Sequence, residues 1–157
     1  MGDWKRNWFV VEHLDVQRLL LDWRWLCPKP MTLVARNAFA DLFLRDDSGE
    51  IYVLDVAGGQ LKRIADSEAQ FRELAGTPEK REEWFAEADE LAGVARGLTP
   101  DASQCIGFST PLVFAESGDP DNPYIADIYD HVSFLGDLHH QISGLPAGTK
   151  VRLQVKR

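Results

Sequence analysis

A chain of 157 residues, 45% apolar and 27% charged, can bury one core without staples and is too apolar for disorder. Its 17 basic and 25 acidic side chains leave a formal charge of −8, so nucleic acid and anionic membranes are repelled and basic partners attracted. Cys27 and Cys105 stand far apart, without a CxxC or a Cys/His ligand spacing. That is the pattern of two reduced thiols, not of a disulfide framework or a zinc site.

Trp4, Trp8, Phe9, Val10 and Val11 alternate with charged residues at the start of the chain, and this segment is expected to pack on the body. The first apolar run, "WFVVEHL", carries Glu12 and His13 and does not read as a secretory signal. Leu14, Leu19, Leu20 and Trp23 share one face of a short helix, followed by an extended "WRWLCP" that the prolines of "CPKP" terminate. Residues 1–32 therefore read as a Trp-rich helical segment and 33–157 as an α+β body.

"NAFADLFLRDDSGEIYVLDVAGGQLKRIADS" divides into three runs separated by "DDSG" and "AGG", whose apolar side chains are Leu42–Leu44, Ile51–Leu54, and Leu61 with Ile64. Glycine-containing turns between such runs predict an antiparallel meander. A helix capped by Asp66 or Ser67 follows and ends at Gly76. A second is capped by Thr77, has Pro78 at its first position, and buries Trp84, Phe85, Ala88, Leu91, Ala92 and Ala95. "CIGFSTPLVFAES" predicts a strand interrupted at Pro111, "YIADIYDHV" a further strand, and Val132, Leu135, Leu138 and Ile142 a helix ended by Gly144 and Pro146. "GTKVRLQVKR" alternates as a final strand. The expected fold is α+β: a single domain with a mostly antiparallel sheet and helices packed on one side. The longest uncharged stretch, Ala102 to Ala115, is too short and polar to span a bilayer, and a cytoplasmic protein is expected.

One stretch concentrates chemistry-bearing residues. From Gly97 to Thr149 there is no Lys or Arg, while Asp101, Glu116, Asp119, Asp121, Asp127, Asp130 and Asp137 all fall there. Asp119, Asp121 and Asp130 match three slots of a calcium loop, but Tyr124 replaces the glycine of the sharp turn and the last slot lacks its glutamate. His139 and His140 are adjacent and diverge by about 100° on a helix, so they cannot share a metal as i, i+4 histidines do. No nucleophile elbow, phosphate loop or dinucleotide fingerprint is present. Asp119, Asp121, Asp127 and Asp130 are the candidate contacts to a basic protein partner, with no catalytic residue, no metal and no cofactor expected. The competing reading is a small metal-dependent enzyme or ligand-binding protein using Asp127, Asp130, His131 and His139. A third is a homo-oligomer with Trp4 and Trp8 at its interface, Trp23 and Trp84 being assigned to the core; the oligomeric expectation is a monomer or weak homo-oligomer.

Several short motifs carry a family resemblance: N-A-F-x-D-L-F at Asn37–Phe43, x-Y-x-L-D at Ile51–Asp55, and C-x-G-F at Cys105–Phe108 ahead of P-L-V. S-F-L-G-D-L-H at Ser133–His139 and L-P-x-G-T-K at Leu145–Lys150 complete the set. Over about Leu33 to Val155 the chain resembles a domain of unknown function found in bacterial type VI secretion immunity proteins that guard against DNase toxins. It is also similar to the broader SUKH superfamily of immunity proteins. Ala40 stands where such proteins usually have Gly, a change that falls on a backbone position. The resemblance implies a cytoplasmic α+β module that neutralises a cognate toxin by binding it, and it supplies no catalytic residues.

Overall fold

The computed structural model describes residues 8–112, 114, 122–146 and 148–149. Asp15 opens the first helix, α1 (Val16–Leu19), because its carboxylate accepts the Gln17 and Arg18 N–H groups that a helix start leaves without partners. A 3-10 turn, Leu21–Trp23, follows directly. Leu19, Leu20 and Trp23 are buried, and the Trp23 indole N–H donates to the Val132 carbonyl at 2.8 Å. Trp8 is buried as well, so it is a core residue and not the contact residue that the homo-oligomer reading made of it; Trp4 lies outside the described residues. Trp23 and Trp84 are in the core as expected.

The main sheet is the antiparallel meander β1 (Thr32–Arg36), β2 (Leu42–Arg45), β3 (Ile51–Asp55) and β4 (Gln60–Ala65), in that order. β1 was not expected. Leu33, Val34, Ala35 and Arg36 are all buried, so this strand shows no in–out alternation and reads in sequence as a short featureless run. The turn after β1 is organised by Asn37. Its side-chain oxygen accepts the Phe39 and Asp41 N–H groups at 3.0 and 2.9 Å, and its amide donates to the Asp41 carboxylate and the Trp84 carbonyl. Within that turn Ala40 sits at φ +70°, the backbone position singled out above and one that costs a residue with a Cβ about 1–2 kcal/mol.

Helices α2 (Glu68–Ala75) and α3 (Pro78–Phe85) start as expected, capped by the Ser67 and Thr77 hydroxyls. The long second helix does not continue, however. Ala86 takes a left-handed conformation at φ +48°, and a separate α4 (Glu87–Ala95) begins beyond it with the Ala88 N–H donating to Glu82. Trp84 and Phe85 insert against Phe71 and Phe43, with ring centroids 5.2 and 5.1 Å apart. The break then turns α4 outward, leaving Leu91 61% exposed instead of buried.

β5 (Gln104–Phe108) and β6 (Pro123–Asp127) form a second antiparallel pair, tied to the main sheet where the Ile106 N–H donates to the Ala38 carbonyl at 2.8 Å. The expected strand "YIADIYDHV" stops at Asp127 and becomes α5 (Ile128–Ile142), because the Asp127 carboxylate accepts the Asp130 N–H and caps the helix. The expected final strand lies outside the described residues.

The α+β class, the antiparallel sheet and the single domain are as read from sequence. Helices cover both faces of the sheet rather than one, since β2 is apolar on both. Leu42 and Leu44 pack with Trp23, Val132 and Leu135, while Phe43 packs with Phe71, Trp84 and Phe85. α5 approaches the 3-10 turn so closely that a Cβ on Gly136 would lie 2.7 Å from the Asp22 carbonyl and 2.9 Å from the Trp23 indole nitrogen. Gly136→Ala is therefore expected to cost about 1–3 kcal/mol, measured as a lowered denaturant midpoint at unchanged slope.

Candidate functional site

Between the β5–β6 pair, α4, α5 and the turn after β1 lies a cleft of about 1100 Å³. Six aspartates line it: Asp22 from the 3-10 turn, Asp41 at the head of β2, Asp89 on α4, and Asp127, Asp130 and Asp137 at or along α5. Against them stands a single basic residue among the described lining, Arg96. Apolar walls separate the charges, with Phe39 and Phe108 stacked at 6.2 Å and Phe134 across α5. Leu112 and Tyr124 also line the cleft and are 46% and 44% exposed.

Each carboxylate is placed by a local structural reason. Asp127 is the α5 cap, and Asp130 follows it in the first turn, where the helix dipole favours negative charge. Asp22 accepts a hydrogen bond from the Ser133 hydroxyl. Asp41 is held by the Asn37 amide at 2.9 Å and the Val56 N–H at 3.1 Å. Burial pushes its pKa up to about 7, with the nearby Asp55 carboxylate acting in the same direction and the Asn37 and Val56 bonds against it. His131 also lines the cleft at 8% exposure. It packs against Gly107, where a Cβ would stand 3.1 Å from its Nδ1. Burial holds its pKa down at about 4, so the imidazole is neutral at pH 7.

No protein-family model and no curated protein matches the chain. Its chemistry is therefore read from the cleft itself.

Of the four carboxylates expected to meet a partner, Asp127 and Asp130 lie together on the cleft; Asp119 and Asp121 fall outside the described residues. Of the competing Asp/His set, Asp127, Asp130 and His131 line the cleft, and His139 does not. His139 is buried against the Trp23 ring, with Nε2 3.1 Å from the Ala57 carbonyl oxygen. His140 stacks on Trp25. Among the described residues no three His, Cys, Asp or Glu side chains form a metal-binding group. Both cysteines are buried and free, and burial pushes the Cys105 thiol up to about 12, the opposite of what a nucleophilic thiolate needs. Asp22, Asp41 and Asp89 were not anticipated at the site. They come from three other parts of the chain, and no local pattern marks them. Among the described residues no helix is long and apolar enough to cross a membrane.

Proposed function

We propose that this chain is a non-catalytic binding protein that neutralises a basic cognate toxin, acting in the cytoplasm as an immunity protein. The observation that carries the reading is the cleft with six aspartates against one arginine, set in a chain of net charge −8. A one-sign field in a walled cleft raises the encounter rate with a cationic protein and rejects anionic competitors. The motifs that resemble immunity domains support the same reading, and a nuclease, whose own surface must attract phosphate, is the kind of toxin such a field fits.

Co-expression with the product of the adjacent gene tests it. A stoichiometric complex is expected to co-purify at low salt, with association slowing as ionic strength shortens the screening length to about 8 Å at 0.15 M. Absence of any complex at low salt overturns the reading.

A further inference from the structure

The cleft asks for more than a diffuse attraction. His131 is one of the few buried polar side chains in the protein, and among the described residues it makes no hydrogen bond. Its ring nitrogens are not fully buried, so on the wall of an open cleft they face solvent, and a docking ligand group can take the place of that water. The neutral ring presents one nitrogen as an acceptor, which suits an incoming N–H donor and not an anion.

Volume and walls narrow the class. About 1100 Å³ exceeds the roughly 300–1,000 Å³ of ordinary small-molecule pockets, and the exposed Leu112 and Tyr124 extend apolar contact outward. The stacked pair Phe39 and Phe108, with Phe134, offers aromatic faces beside carboxylates. A guanidinium uses all three features: it stacks on aromatic faces, is weakly hydrated, and presents five N–H donors in a planar fork. An ammonium ion is compact and strongly hydrated, and uses them less well.

We propose that the cleft receives an arginine side chain carried on an extended apolar stretch of the basic partner, with His131 accepting one guanidinium N–H and the carboxylates that line the cleft, Asp89 and Asp130 among them, supplying the opposite charge. This assignment rests on the proposed function and specifies where and how the partner is held. The low pKa of His131 agrees with it, because a protonated imidazole would repel the guanidinium.

The test uses the full chain and three capped peptides alternating leucine with arginine, with lysine or with glutamate, titrated calorimetrically at low salt. The arginine peptide is expected to bind more tightly than the lysine one, and the glutamate peptide not at all. Asp89→Asn combined with Asp130→Asn is expected to weaken arginine-peptide binding about tenfold, and His131→Leu to remove the preference for arginine over lysine. Glu73→Gln combined with Glu79→Gln, exposed and outside the cleft, is expected to leave binding unchanged. Thermal melts identify any variant that fails to fold, and the aspartate pair, on the exposed surface, carries the test if His131→Leu does. Equal loss from the cleft and control pairs overturns the cleft assignment while leaving an acidic binding protein in place. Absence of binding by the arginine peptide also overturns it, and the partner reading is then decided by the co-expression experiment alone.

Discussion

Replacing Arg36 with methionine is expected to cost about 3–5 kcal/mol, the exceptional end of single-substitution effects. Arg36 is 1% exposed, yet its guanidinium works as a hub for backbone carbonyls. It donates to Asn37 at 3.1 Å, Ala102 at 3.2 Å and Gln104 at 2.6 Å. These bonds join the end of β1 to the segment that leads into β5, and the same group lies 5.1 Å from the centre of the Trp8 ring. Burial lowers its pKa to about 10, which leaves it charged at neutral pH. Methionine fills much of the space but strips hydrogen bonds from three carbonyls at once. Arg36→Lys keeps the charge without the planar fork, so an intermediate loss is expected. Urea unfolding reads both variants, and a loss below about 1 kcal/mol for methionine would show that the carbonyls find other partners.

His131 is expected to make a large pH-dependent contribution to stability on the acid side, visible only as a difference between the native protein and a variant that lacks it. Its folded pKa, about 4, lies below the ordinary 6.5. As pH falls from 6.5 to 4 the unfolded chain binds a proton that the folded one refuses, and stability drops by about 3 kcal/mol before levelling off. Asp41 works in the opposite direction. Its folded pKa, about 7, is raised above 3.8, so its contribution is full below pH 3.8 and is lost as pH rises through 7. In the native chain the two nearly offset each other across this window. The informative quantity is therefore the stability of the native protein minus that of His131→Gln. That difference is expected to fall by about 3 kcal/mol between pH 6.5 and 4; a flat difference would mean that His131 takes up its proton in the folded state as easily as in the unfolded one.

Much of the fold was legible because its signals are local. Ser67, and Thr77 with Pro78, start helices where they stand in the sequence, and the Gly-containing turns after Arg45 and Asp55 mark the meander. The failures share a cause. β1 is buried on both faces and so lacks alternation, and the break at Ala86 follows from the seating of Trp84 and Phe85 in the core rather than from a breaker residue. The strand–helix change at Asp127 was missed because Ile128 and Tyr129 suit either state, and the capping bond decides between them. At the site, Asp127, Asp130 and His131 could be seen as one acidic stretch. That Asp22, Asp41 and Asp89 converge on them is a matter of tertiary packing.

The most direct measurement is growth of cells expressing the adjacent gene's product together with either the native chain or the Asp89→Asn, Asp130→Asn variant. Capture of a basic toxin by the cleft requires that the native chain restore growth and that the variant, folded and present at equal level, restore it poorly. Equal rescue by the two proteins would contradict the role of the cleft, and no rescue by either would contradict the immunity function itself.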